Sequence, residues 1–542
     1  MCLMPQPRST GWQATSRHGV VAAGGAAAVD AGLSILEADG NAADAAVATI
    51  FALNVTDHIA CSIGGEVPVL IYAAEEGRVR ALSGQGRAPW SQEAIDWYMQ
   101  NGIPAAPDIK MAPVPSVVDL CITLLQIYGT MTLAQVTAPV LSLLDEAQED
   151  WHPRLAHTLR RMVEEESLTT GSRQVRLQAA CDRFYGRHAT RNDIAEELEA
   201  YYIEKGGFLR RQDLARHITT IEEPVAADYR GYTVCKCGPW TQGPSLCQAL
   251  RLLEGFDLTA MGHLSADSIH HAVEALKLAF ADRDAYYGDP QFTGVPMSSL
   301  LSDRYTEVRR TLIDAQLASD TARPGDPYRL QALAEADETA PAPGGTTTCV
   351  ITDRWGNVVS ATPSANIPRD HDGGGATGVT YGNRLRSLNT TPGHPNCIQP
   401  GKRPRITQTP TLVLKQGRPA MAVSVAGGDL QDQTALNLLM NAIDYCMDPA
   451  EAVTTPRFST DHHEDSFDPN PQRSDTFKGV RSLTVNDDVD EKVQQQLADR
   501  GHQVTTKSGA IGTPVMLAIH DDGSASAAGD PAARRHAAGV DA

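Results

Sequence analysis

Residues 335–366 read EADETAPAPGGTTTCVITDRWGNVVSATPSAN. Ten of the first eleven are Pro, Gly, Ala or acid, and ASDTARPGDP upstream has the same character, so a mobile linker is expected over 317–345. After Gly345 the pattern turns β-like. Thr346–Thr352 and Val358–Thr362 flank the turn Asp353–Asn357, which predicts a hairpin. Cutting the Gly345–Thr346 bond would leave Thr346 with a free α-amine beside its own hydroxyl, so that one residue could supply both nucleophile and base. Glycine at 345 permits the strained backbone that such a cut needs. Read locally, the plainer account is a glycine pair closing a linker ahead of a β-prone threonine run.

Working outward, Gly19–Ala23 and Val67–Ala73 read as strands, and Ala26–Asp39 and Ala42–Leu53 as helices. Gly24-Gly25 lacks the spacing of a dinucleotide-binding loop, and Ala-rich helix packing accounts for it better. Residues 115–215 are mainly helical by periodicity, and MVEEES and DIAEELEAYY read as solvated faces. A strand at Tyr232–Cys235, a helix from about Ser245 and a long helix at Ala266–Ala285 follow. Beyond the hairpin come strands at Thr411–Lys415 and Ala420–Val425, and a helix at Thr434–Ile443. The chain closes with Leu483–Val485, a helix at Glu491–Arg500, and strands at Gln503–Thr506 and Val515–His520. Strands and helices mixed throughout predict layered α/β or α+β packing.

With 42% hydrophobic and 21% charged residues over 542 positions, a large core is expected, and the composition argues against disorder or a fibrous repeat. The net charge of −20 argues against nucleic-acid or anionic-membrane partners. From Thr346 onward there are 22 acids and 18 bases, so most of the negative surplus precedes Thr346. No secretory signal or membrane-length apolar run is visible, and the ten cysteines lack zinc or redox spacing. Reduced thiols in a cytoplasmic protein are the expectation.

Several blocks, taken in order, resemble the γ-glutamyltranspeptidase family of N-terminal-nucleophile (Ntn) hydrolases. They are DGNAADAAVATIFALNV with SIGGE; YRGYTV and LRLLEGFDLTAMGHLSAD; HAVEALKLAFADRDAYYGDP; GGTTTCVITDRWGNVVSATPSAN; PGKRP with TPTLVLKQGRPAMAVSVAGG; and RGHQV with DPAARRHAAG. The resemblance implies an α+β fold, the four-layer αββα sandwich with two central antiparallel sheets. It implies a large segment 1–345 and a small catalytic segment 346–542, intertwined in one unit and remaining associated after cleavage. It makes Gly345–Thr346 the autoprocessing bond and Thr346 the nucleophile. Ser364 stands where the family usually has threonine, hydrogen-bonding the nucleophile, and keeps the hydroxyl. Asn366 matches a substrate-contacting asparagine, and Gly427-Gly428 the pair whose N–H groups form the oxyanion hole. No metal and no organic cofactor are expected. The partners implied are a small amide substrate and water or an amine acceptor.

The departures lie where the family reads the glutamyl group. The acidic segment that holds its α-amine is replaced by Leu388-Asn-Thr-Thr-Pro-Gly393, and no Asp or Glu occurs between Asp372 and Asp429. That stretch carries Arg384, Arg386, Lys402, Arg403, Arg405, Lys415 and Arg418 instead. The family's Ser-Ser pair appears as Ile406-Thr407, leaving Thr407 as the remaining hydroxyl. The carboxylate-gripping arginine is represented by Arg87, or its place is taken by Gln85. The segment before PGKRP is shortened, which implies a more open site. Together these point to hydrolysis or acyl transfer of an amide whose acyl group is carboxylated but lacks the amine. Ordinary γ-glutamyl transfer or glutathione hydrolysis is the alternative, and an unprocessed binding homologue the second. His462-His463-Glu464-Asp465 reads as a solvated loop rather than a metal site, Asp370-His371-Asp372 as a loop, and Cys349 as core.

Overall fold

The computed structural model describes residues 10–105, 107–146, 149–188, 190–334, 346–367, 371–477 and 479–541. Two seven-stranded, wholly antiparallel sheets form its centre. Across the first run His536–Gly539, Gly19–Ala23, Cys349–Asp353, Val358–Ala361, Val67–Ala73, Arg78–Gly84 and Thr220–Glu222. Across the second run Gln13–Ser16, Ala525–Gly529, Thr513–Ile519, Arg418–Ala426, Thr411–Lys415, Tyr232–Lys236 and Val225–Tyr229.

The two-residue period of a strand explains the layering. Val20, Ala22 and Val350 point between the sheets with Leu412, Ala422 and Leu517. Val21, Ala23, Cys349 and Ile351 point the other way, into helices such as Ala42–Thr56 and Val117–Tyr128. On the far side, Val413, Val423 and Met516 pack against helices that include Pro244–Leu253, Ala266–Tyr286 and Leu430–Leu439. The result is the αββα sandwich. Both seven-stranded sheets combine strands from before and after residue 346, so neither segment completes either of them alone.

The helix Ala42–Thr56 is fixed at its start. Asn41 caps it, and Asp44 returns a bond to the Asn41 N–H in a capping box. Asp44, fully buried, also accepts from Thr130 N, Thr130 Oγ1 and Met131 N. Asp44→Ala would strand those donors, and should lower stability by about 3 kcal/mol, read as a lower urea midpoint at unchanged slope.

Three expectations are corrected. Thr346–Thr348 lie ahead of the strand, which begins at Cys349, because the Thr347 N–H bonds to Pro363 O and Thr348 O accepts from Gly24. Residues 317–334 do not behave as a free linker. The Ala318 N–H bonds to Arg500 O, Gly325 N–H to Asp282, and Arg323 to Leu312 O and Glu274. Residues 335–345, Gly345 included, lie outside the described residues. The helix expected at Thr434–Ile443 starts earlier, at Leu430, and ends in a π-helical turn over Met440–Asp444. Among the described residues no helix is long and apolar enough to cross a membrane.

Candidate active site

The hairpin Cys349–Asp353/Val358–Ala361 sets the residues before and after it side by side. Thr346 Oγ1 thereby lies 3.3 Å from Ser364 Oγ, both residues buried. Ser364 is held by a reciprocal backbone pair with Glu66, each N–H bonding the other's carbonyl at 2.8 Å.

Behind Ser364 sits a buried ion pair that sequence reasoning missed. Arg384 donates through Nη2 to Ser364 Oγ at 2.7 Å and through Nε to Glu66 Oε1 at 2.5 Å. Both charged side chains are fully enclosed. Burial pushes the Glu66 carboxyl above its usual range, and Arg384 pulls it back. With a Ser364 lone pair engaged by the guanidinium, the serine proton is directed toward Thr346 or Gln408.

Two glutamines complete the surroundings of Thr346. Gln408 places an amide atom 3.3 Å from Thr346 Oγ1. That atom is the oxygen, because it also faces Arg384 Nη2 at 2.8 Å, Arg384 Nη1 at 3.2 Å and Ser364 Oγ at 3.2 Å. Gln431 donates from Nε2 to Thr346 Oγ1 at 3.4 Å while its oxygen accepts from the Thr409 N–H. None of these neighbours is a titratable base. The sequence signals for the pair were slight: Gln408 follows Thr407, and Gln431 follows the glycine pair by three residues.

Gly427 and Gly428 end the strand Arg418–Ala426 with φ of +144° and +62°, a path that suits glycine. Their carbonyls accept from Leu430 N and Gln431 N and so start the helix Leu430–Leu439, which returns Gln431 to Thr346. Among the described residues neither glycine N–H donates a hydrogen bond, so both are available to an oxyanion. The next residue, Asp429, is locked by Arg283 at 2.5 Å and by Ser466 Oγ.

Asn366 adopts φ +50° and donates its N–H to Ala60 O, a left-handed position that asparagine tolerates. Thr407 is fully buried, with its Oγ1 3.4 Å from the Gln408 amide. Arg87 is turned elsewhere: its Nη1 bonds Gln291 Oε1 and Gly401 O and lies 3.8 Å from Asp289. Gln85 is buried against Pro404 O. Next to Thr346 in the chain, Thr347 Oγ1 donates to Asp57, which Arg535 also engages at 3.2 Å.

The acid-free basic stretch is not free of acids in space. Sequence-distant carboxylates reach it: Glu66 to Arg384, Asp289 and Glu222 to Arg403, and Asp284 to Arg405. Among the described residues Arg386 has no ion pair; its Nε bonds Phe467 O, and its guanidinium and that of Arg384 both lie over the Phe467 ring, at 5.6 and 5.1 Å. The loop expected to be solvated at 462–465 is buried instead. His462 accepts from Arg481 N and donates to Thr321 O, and burial lowers it to about 3, so it is neutral with both nitrogens used. Among the described residues no His, Cys, Asp or Glu group could hold a metal ion. The nine described cysteines are unpaired, and Cys349 packs in the core.

A sequence model of the family described as Gamma-glutamyltranspeptidase matches residues 28–147 and 147–540. A glutathione hydrolase proenzyme of Bacillus subtilis is 28% identical over 97% of this chain and 92% of its own length. An acylase ACY 1 proenzyme of a Pseudomonas strain is 29% identical over 94% and 91%. The crystal structure of cephalosporin acylase from Bacillus halodurans superposes with a TM-score of 0.81 at 25% identity, covering 100% of this chain and 99% of that one.

Proposed function

Because the chain belongs to the γ-glutamyltranspeptidase family, we propose that it is a self-processing amide hydrolase or acyltransferase, with Thr346 as nucleophile after scission of the Gly345–Thr346 bond. The observation that carries this reading is the setting of Thr346 Oγ1, which among the described residues is bonded by Ser364, Gln408 and Gln431 and by no His, Asp or Glu that could take its proton. A hydroxyl so placed needs a base, and a terminal α-amine on the same residue supplies one. Attack on the amide carbonyl forms the ester bond to Oγ1, with the oxyanion facing the Gly427 and Gly428 N–H groups. The C–N bond breaks as the leaving amine takes the proton, and water or a second amine then releases the acyl group.

The acyl group we favour bears a distal carboxylate and no α-amine, as in glutaryl amides. An ammonium would need a carboxylate, and Glu66, the acid behind Ser364, is already committed to Arg384. Arg386, a neighbouring cation with no ion pair among the described residues, is the reader we assign to that carboxylate. The named relatives include both glutathione hydrolases and acylases, so γ-glutamyl chemistry is the competing reading.

Glutaryl and γ-glutamyl anilides separate the two. The glutaryl compound should show a kcat/KM about tenfold higher or more. Arg386→Gln should raise its KM about 10- to 100-fold with kcat nearly unchanged, the pattern of a lost charged hydrogen bond felt equally in ground and transition state. Preference for the γ-glutamyl anilide would refute the acyl assignment and leave the Thr346 mechanism standing.

A further inference from the structure

Among the described residues, three of the seven cations between Asp372 and Asp429 meet a carboxylate, namely Arg384, Arg403 and Arg405, and Lys402 does not. Its side chain is fully buried, and Nζ makes no hydrogen bond to any described residue. The Phe292 ring lies 5.7 Å from the amine. Asp289, the acid that acts on it from nearby, is shared between Arg403 at 2.8 Å and Arg87 at 3.8 Å. Burial holds the Lys402 amine below its ordinary value, with Cys397 and Asp289 only partly opposing. A buried ammonium without a counter-charge is costly, and a ligand anion would remove that cost.

Lys402 lines a cavity of about 500 Å³ between the helix Gln92–Asn101, Phe292 and residues 392–400. The volume suits a small organic ligand. Among the described residues no Asp or Glu lines it, although the chain as a whole carries a net charge of −20. Ile95, Met99, Phe292 and Ile398 make much of the wall apolar. His394, also in the wall, is lowered to about 3 by burial and by Arg473, Arg405 and Lys402, so the cavity sits in a positive field set by those charges. Thr346, Ser364 and the glycine pair are not among its lining residues, so it is separate from the nucleophile's surroundings.

We propose that this cavity is a second ligand site, for a compact monocarboxylate with an apolar body. The carboxylate pairs with Lys402 Nζ, and the hydrocarbon part lies against Ile95, Met99 and Phe292. An acid with a hydrocarbon body is favoured over a tetrahedral inorganic anion because a single ammonium stands beside the apolar side chains of Ile95, Met99, Phe292 and Ile398, which a bare anion would leave uncovered.

Calorimetric titration of the whole protein with phenylacetate, phenylacetamide and inorganic phosphate tests this. Phenylacetate should bind about tenfold or more tighter than either of the others. Lys402→Met should weaken it by a similar factor while anilide hydrolysis stays within about twofold, and Arg386→Gln should leave phenylacetate affinity unchanged. Met99→Trp, at a position 38% exposed, fills the cavity while keeping the lysine. It should also abolish binding, so the test survives a misfolded Lys402→Met. No binding to the wild-type protein, equal binding of acid and amide, tighter binding of phosphate, or full affinity in either cavity variant would each overturn the proposal. Loss of binding in Arg386→Gln would place the ligand in the active site and overturn it too.

Discussion

Thr346→Ala should run as one band of 58.1 kDa on a denaturing gel, where the wild-type protein runs as fragments of about 37 and 21 kDa. The same substitution should lower amide hydrolysis by about 10⁴-fold or more, as removal of a sole nucleophile does. The expectation rests on the Thr346 hydroxyl: Ser364, Gln408 and Gln431 all converge on that one oxygen. Thr346→Ser keeps the oxygen and loses a methyl group, so it should still be cut, more slowly. A wild-type protein that stays full length would remove the mechanism and leave the binding-homologue reading. A Thr346→Ala protein that is still cut would move the nucleophile elsewhere. The interleaved sheets add a second readout. Each seven-stranded sheet draws strands from both sides of residue 346, so the fragments should elute together from a sizing column and separate only on denaturation.

The layers were legible in the sequence because a strand buried on both faces writes itself plainly: Gly19–Ala23 and Val67–Ala73 are continuous apolar runs, and both are strands as expected. The strands that escaped notice carry weaker patterns. Ala525–Gly529 and His536–Gly539 are built from alanine, glycine and single polar residues, and Arg78–Gly84 opens on two arginines. Their pairing is set by neighbours far away in sequence, as where Ala528 opposes Gln13. At the site, Thr346 and Ser364 stood out through the family resemblance of the block GGTTTCVITDRWGNVVSATPSAN, since read locally the threonine run is only a β-prone segment after a glycine pair. Glu66 and Arg384 could not be joined by inspection, since their contact spans 318 positions and neither has a local signature. The basic stretch misled for the same reason: its missing acids are supplied by loops and helices elsewhere in the chain. Charge counted along a sequence says little about charge in a folded core, where a cation is rarely left alone.

Arg384→Met should cost about 3–5 kcal/mol of stability near pH 8, because it leaves the Glu66 carboxylate buried without its partner. The loss should depend on pH in a definite direction. Burial already lifts the Glu66 carboxyl above its ordinary value, and the Arg384 charge is what opposes the lift. Without the arginine the folded-state pKa rises further, so between the unfolded value and that raised value the native state holds a proton that the unfolded chain has released. Stability therefore falls as pH rises through this window and levels off above it. The gap between Arg384→Met and wild type should be widest at alkaline pH and narrow toward pH 5. Adding Glu66→Gln removes the titrating group, so the double variant should recover much of the stability and lose the pH dependence. Activity should not return with it. Ser364 would still lack the 2.7 Å bond that orients its hydroxyl toward Thr346, and kcat should stay about 10- to 100-fold below wild type. Urea titrations at pH 5 and 8 on the three variants, with kcat measured on the same preparations, decide the matter. A gap that does not change with pH would show that Glu66 is not the strained partner, and full activity in the double variant would show that Ser364 needs no arginine behind it.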